Sequence, residues 1–179
     1  MEAQDAAYWH FSVGAGIGTH QDFRFSADFI LPSQLSLCGS LQALQCSSPE
    51  TPADYEEGLC IWDDCQPRIK TTTYGVLAGR VVGLSRFFRL NLRGGLAIHD
   101  TETPVNFRRI PPDPFHLSSN YQYDKKRSTN VGMLLEPRLE FLPSRAWGLG
   151  LGVFAHVNQT NPAFGVFLEL FGGRYLRAY

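Results

Sequence analysis

Eight separate segments of this chain alternate apolar and polar side chains with a period of two, and none reads as an amphipathic helix. A period of two puts successive side chains on opposite faces of an extended strand. In the first segment Trp9, Phe11, Val13, Ala15 and Ile17 share one face, and His10, Ser12, Gly14, Gly16 and Gly18 share the other. The second sets Phe23, Phe25, Ala27 and Phe29 against Arg24, Ser26, Asp28 and Ile30; the third sets Leu35, Leu37, Gly39, Leu41 and Ala43 against Ser36, Cys38, Ser40, Gln42 and Leu44. The fourth, near 70–83, is the least regular. Its faces are assigned from Arg80, which puts Thr72, Tyr74, Val76 and Ala78 on the polar side and Gly75, Leu77, Gly79 and Val81 opposite. The fifth sets Phe88, Leu90, Leu92, Leu96 and Ile98 against Arg89, Asn91, Arg93 and His99, and the sixth Val131, Met133, Leu135, Leu139 and Phe141 against Leu134, Glu136, Arg138 and Glu140. Pro137 lies inside the sixth, where the loss of a ladder donor predicts a bulge. In the seventh, Trp147, Leu149, Leu151, Val153 and Val157 oppose Gly148, Gly150, Gly152, Phe154 and His156; in the eighth, Phe164, Val166, Leu168 and Leu170 oppose Phe167, Glu169 and Phe171.

Segments of roughly 10 to 14 residues match strands that cross a bilayer at a tilt. The connections alternate in size. Pro32-Ser33, 83–86 and 143–146 are short turns on one rim, whereas the opposite rim carries short links near residues 20 and 160 and long loops over about 47–69 and 100–127. The expected fold is therefore all-β: one domain over 1–179, an eight-stranded antiparallel up-and-down transmembrane barrel with a filled polar lumen.

The polar face decides which side of the barrel meets lipid. It carries Arg24, Arg80, Arg89, Arg93 and Arg138 with Asp28, Glu136, Glu140 and Glu169, among many glycines and without a lysine. Arginine forks that pair with carboxylates in a narrow space suit an enclosed lumen, where small residues must stand beside large ones. The opposite face is Leu, Val and Phe, with Trp9, Phe88, Phe141 and Trp147 gathered at the short-turn rim as an interfacial girdle. Turned inside out, the same pattern would be a soluble lipocalin-like ligand-binding barrel. No apolar run is long enough for a membrane-spanning helix, and a net charge of -1 removes the basic field that nucleic-acid binding needs. The first residues lack the charged and apolar regions of a secretory signal, as expected either of a protein that stays inside or of a mature exported chain with a start Met added.

These residues resemble the small eight-stranded outer-membrane barrels: OmpA transmembrane domains, OmpX and the PorT-like barrel family. The segments that carry the resemblance are the Gly-alternating Phe11–Gly18, Gly148–Phe154 and the closing Phe167–Gly173. The resemblance implies an integral, non-enzymatic protein in the outer membrane of a Gram-negative bacterium. It implies a role that is structural or works through loops and partners, those partners being outer-membrane lipid, lipopolysaccharide or another envelope protein. It also implies a terminal aromatic read by the insertion machinery, for which Tyr179 stands, with Tyr175 before it.

Candidate chemistry is sparse. Cys38 and Cys46 lie about 26 Å apart on one extended segment and cannot pair. Cys46, Cys60 and Cys65 fall in or beside the first long loop and are the disulfide candidates, as Cys60–Cys65 or Cys46–Cys65. No metal or cofactor set is evident; Cys60, Asp63, Asp64 and Cys65 lack a neighbouring histidine. His156 with Asn158 is similar to the His-x-Ser-Asn motif of outer-membrane lipid A deacylases, which makes a lipid-modifying enzyme the alternative, but Asn158 stands where the nucleophile belongs. The other reading of His156, shared by His10 and His99, is a lumen side chain bonded to a neighbouring strand. Arg108, Arg109, Lys125, Lys126 and Arg127, beside Tyr121 and Tyr123, form a basic group suited to phosphates near the membrane edge, while Glu50, Asp54, Glu56 and Glu57 make the other loop acidic.

Overall fold

A computed structural model describes residues 7–57, 66–111, 119–144 and 146–173. Its elements are β1 (Tyr8–Gly18), β2 (Gln21–Ile30), β3 (Leu35–Ser47), β4 (Arg68–Gly83), β5 (Phe88–Arg109), β6 (Tyr121–Phe141), β7 (Trp147–Val157) and β8 (Ala163–Gly173). Each strand pairs antiparallel with the next, and β1 closes the ring on β8 through a ladder from His10↔Gly173 to Gly18↔Gly165. Closure leaves the sheet without open edges within the ring, so strands with one wholly apolar face need no partner chain to satisfy their backbones.

The alternation sorts the side chains as an inside-out protein. Trp9, Phe11, Val13 and Ile17 on β1, Leu37 and Leu41 on β3, and Val166, Leu168 and Leu170 on β8 are exposed on the outer wall. His10, Ser12, Arg24, Asp28, Gln42, Glu136, Arg138 and Glu169 are buried inside. A contiguous apolar wall of this extent is an aggregation surface in water and a matched surface in hydrocarbon.

Three apolar clusters pack the lumen around these charges. Tyr8, Ile30, Val81, Leu142 and Phe171 close the short-turn end; Leu44, Phe154, Ala163 and Phe167 fill the other half; Cys38, Leu77, Ala97 and Leu134 line one flank between them. Glycines make the room. A Cβ at Gly150 would stand 2.8 Å from Cδ of Arg138, and one at Gly152 would stand 2.5 Å from the ring of Phe167.

Three expectations need correction. Arg80 is exposed on the outer wall, so β4 runs in the opposite phase: Thr71, Thr73, Leu77 and Val81 face inward, and Tyr74 and Val76 face outward. Arg80 stands in the last turn-ward residues of β4, which ends at Gly83, close enough to the interface for its long side chain to reach headgroups. Pro137 causes no bulge. Leu135↔Ala155 and Arg138↔Gly152 keep one register across it, and the shift in the sheet lies between Val105 and Arg108, where Asn106 takes φ 57°. The loop expected over 100–127 is mostly strand, because β5 runs on to Arg109 and β6 begins at Tyr121. Together they rise beyond the ring as a two-stranded ribbon.

The turn after β2 holds a strained residue. Gln34 N donates to Leu31 O (2.9 Å) and Leu31 N donates to Leu35 O (2.8 Å), which places Gln34 at φ 65°. A side chain in the left-handed region costs about 1 kcal/mol, which glycine avoids. Gln34→Gly should therefore raise the urea midpoint of the detergent-folded barrel by an amount corresponding to about 1 kcal/mol.

Candidate functional site

Inside the ring the charges form one connected network. Four of the eight strands contribute through their inward phase: Asp22, Arg24 and Asp28 from β2, Arg89 and Arg93 from β5, Glu136, Arg138 and Glu140 from β6, and Glu169 from β8. Arg138 is at the centre; its Nε donates to Glu140 (2.8 Å), Nη1 donates to Glu169, and Nη2 lies 3.4 Å from Asp28. Arg93 donates to both Asp28 oxygens (2.8 and 3.0 Å) and to Glu136 (3.0 Å). Arg24 bridges Asp22 (2.7 Å) and Glu136 (3.1 Å), and Arg89 pairs with Glu140. The guanidinium planes rest on the apolar clusters: Arg24 lies 3.7 Å from the Phe167 ring centroid, Arg138 lies 5.4 Å from that of Phe171, and Arg89 lies 5.3 Å from that of Tyr8. Paired charges capped by aromatic rings make a plug, and nothing in the geometry of the described residues offers an open water path.

Several members of this network were not singled out by the sequence. Asp22 shares the phase of Arg24 and could have been found by extending the second segment by one residue. Gln42 donates to Glu136, its Oε1 lies 2.8 Å from Nε2 of His156, and Tyr8 receives an Arg89 N–H. Phase alone marks these residues as inward; only the closed ring shows whom they meet.

The histidines separate. His10 lies at 3.2 Å from Asp28 in the lower lumen, whereas His99 and His156 sit with ring centroids 5.4 Å apart in the upper lumen, His99 bonded to Thr73 (2.9 Å). His156 is 2 % exposed and faces the lumen, so an acyl ester in the surrounding lipid cannot reach it. Asn158 is occupied by its own turn, its Oδ1 accepting from Thr160 N (3.0 Å) and Asn161 N (2.7 Å). At the His156–Asn158 motif the described residues thus offer neither an accessible base nor a nucleophile. His20 lies in the β1–β2 turn against Thr19 (2.9 Å), and burial pushes its imidazole below the ordinary range against a raising bond from Asn161.

Cys38 is buried in the lumen, and Cys46, at the outer end of β3, is a free thiol. Its candidate partner Cys65 lies outside the described residues, as do Cys60, Asp63, Asp64, Tyr175 and Tyr179. Among the described residues no group of His, Cys, Asp or Glu could hold a metal. Trp9, Phe88 and Trp147 are exposed on the outer wall at the short-turn rim, with the half-buried Phe141 packed 5.1 Å from Phe88.

At the other rim the acidic loop docks on the ribbon. Asn120 donates to Asp54 O (2.7 Å) and accepts from Glu56 N (2.8 Å), Tyr121 donates to Asp54 (2.8 Å), and Tyr55 stacks on Tyr121 at 6.3 Å. Arg108 lies 3.5 Å from Asp124 and Arg109 lies 3.7 Å from Asp54, while Arg127 lies 2.5 Å from Glu102.

No family model and no curated protein matches the sequence. Solved structures do match the ring. The N-terminal β-barrel domain of Pseudomonas aeruginosa OprF superposes with a TM-score of 0.61 at 10% identity, covering 96% of this chain and 99% of that one. The fold is that of the small eight-stranded outer-membrane barrels. Two more share it. Ail of Yersinia pestis, solved with the heparin analogue sucrose octasulfate, gives a TM-score of 0.52 at 9% identity over 94% of this chain and 97% of its own. Neisserial surface protein A gives 0.52 at 11% identity over 93% and 92%. At such identities the likeness lies in the outer-membrane barrel architecture, and side-chain roles have to come from this chain.

Proposed function

We propose that this chain is an integral outer-membrane protein of a Gram-negative envelope, a sealed and non-enzymatic barrel that displays the β5–β6 ribbon outward. Its work is done by contact with outer-membrane lipid and lipopolysaccharide or with another envelope protein. The observation that carries this reading is the pairing of an apolar outer wall with a lumen closed by interlocked Arg and carboxylate side chains. A wall of that kind belongs in hydrocarbon, and a lumen of that kind leaves no conduit and no accessible catalytic group among the described residues. The elaborated surface is then the outer rim, where the loop bearing Asp54 and Glu56 braces the ribbon at Asn120 and Tyr121. The neighbour Ail, solved with the heparin analogue sucrose octasulfate, supports an anionic partner chemistry for this architecture.

The test is reconstitution into phospholipid vesicles loaded with a self-quenched dye. The chain should stay with the vesicles through an alkaline wash and leave the dye inside. Recovery in the aqueous wash would overturn the membrane assignment, and dye release would turn the plug into a pore.

A further inference from the structure

The pairing register places four cations of the outer rim on one outward-facing rectangle. Lys70 on β4 pairs with Glu102 on β5, which pairs with Arg127 on β6. Two residues further up the strands, Pro104 pairs with Lys125, and Arg68 lies two residues beyond Lys70. Residues two apart on a strand share a face, so Arg68, Lys70, Lys125 and Arg127 all point away from the barrel axis, with Glu102 and Pro104 between them. The rectangle measures about 10 Å across two strand spacings and about 7 Å along the strands. Glu102 answers Arg127, whereas Arg68 donates to the side-chain carbonyl of Gln66 (3.0 and 2.6 Å) and, like Lys125, has no carboxylate partner among the described residues. Gln66, Arg68, Lys70, Glu102, Pro104 and Lys125 line one shallow cleft on this wall.

The row continues sideways toward lipid. Lys70 pairs with Gln45, and Gln45 pairs with Gln21, to which it donates at 3.0 Å. Below these polar groups an open groove of about 570 Å³ runs over Ile17, Phe23 and Ala43. Polar donors thus stand directly above an apolar floor, as a headgroup stands above its acyl chains.

Height selects the kind of lipid. Tyr74, the one aromatic of β4 and exposed on the outer wall, marks the upper interface on that strand. Lys70 is four residues above it, about 13 Å along the strand and about 10 Å in height at a tilt near 40°. Arg68 and Lys125 stand higher still. The interfacial layer of an ordinary phospholipid leaflet is only about 5 to 8 Å deep. We infer that the rectangle of Arg68, Lys70, Lys125 and Arg127, with the groove beneath Gln21 and Gln45, is a binding site for a phosphorylated glycolipid of the outer leaflet. Its tall anionic headgroup meets the cations while acyl carbons lie on Ile17, Phe23 and Ala43. This inference rests on the outer-membrane reading above.

The experiment uses the full chain in phosphatidylcholine nanodiscs that contain a minority of bisphosphorylated lipid A, of lipid A stripped of phosphate, or of phosphatidylglycerol. The fraction of barrel that keeps a bound lipid is read by native mass spectrometry. The parent should retain the bisphosphorylated lipid at least about tenfold better than either other lipid, and R68Q/K70Q/K125Q/R127Q should lose that preference. The pair R108Q/K126Q, on the axis-facing side of the same ribbon, should keep it. Should the fourfold variant fail to insert, R68Q/K125Q carries the test and should lower retention by itself. Undiminished retention in the outward variants, an equal fall in the axis-facing pair, or equal retention of phosphatidylglycerol would overturn the site. A parent that inserts but keeps no lipid overturns this inference alone, whereas a parent that does not enter nanodiscs overturns the membrane reading beneath it.

Discussion

Arg138→Met should be the most destabilising single change in the lumen. The side chain is fully buried and serves Glu140, Glu169 and Asp28 at once. Methionine of similar length fills the space beside Gly150 but leaves three carboxylates facing one another without their shared cation. Removing one partner from a buried ionic network costs about 3 to 5 kcal/mol, and here Glu169 is left buried with Arg93 at 3.8 Å as its nearest cation. The loss should appear as a lower urea midpoint, read from the compact band that folded barrels give on unboiled gels. Adding Glu169→Gln to Arg138→Met should recover part of the loss, since Glu169 accepts its hydrogen bond from Arg138 and the two changes, sharing one network, are not additive. Arg80→Met, on the outer wall near the interface, should change the midpoint by less than about 1 kcal/mol. Equal effects of Arg138→Met and Arg80→Met would contradict the enclosed network.

On the outer wall, Leu151→Arg should cost nearly as much. Leu151 is 58 % exposed, lies in the middle of β7 and pairs with Leu139 and Leu168, both outward. An arginine there must leave its charge in hydrocarbon or drag water inward, at a cost of about 2 to 4 kcal/mol near the midplane. Gln45→Arg, on the same wall but at the upper boundary beside Lys70, should cost no more than about 1 kcal/mol. Urea titration in phospholipid vesicles would measure both. A depth-independent cost would mean that the wall faces water.

The residues that sequence pattern exposed and those it hid differ for a physical reason. Where a strand separates hydrocarbon from a packed lumen, the two faces have opposite chemistry, and period two can be read from single residues: Phe25 beside Arg24, Leu139 beside Arg138, Leu168 beside Glu169. On β4 the signal fails because its inward face is small and apolar at Gly75, Leu77 and Val81, while Arg80, three residues from the end of the strand, can snorkel from the lipid side. Above the membrane both faces of a ribbon meet water, so residues 100–109 and 121–130 alternate in geometry without alternating in polarity and read as loop. The lumen partners were partly legible. Charge and phase mark Arg24, Asp28, Arg93, Glu136, Arg138 and Glu169 as inward, but pairings such as Arg93 with Asp28, 65 residues apart, depend on ring closure and stagger. The outward rectangle of cations was invisible as a site for the same reason, since Arg68 and Lys125 become neighbours only through the register of three strands.

If the apolar wall lies in lipid with its aromatic girdle at the short-turn rim, Trp9 and Trp147 are native reporters of its depth, half exposed at 50 % and 46 %. With Trp62 replaced by phenylalanine, the decisive experiment is quenching of their fluorescence in vesicles of phosphatidylcholine brominated along the acyl chain. Bromines near the headgroup end of the chain should quench strongly, and the quenching should weaken as they move toward the bilayer centre. Emission unaffected by brominated lipid and quenched instead by aqueous iodide would make the wall a water-facing surface and the barrel a soluble one.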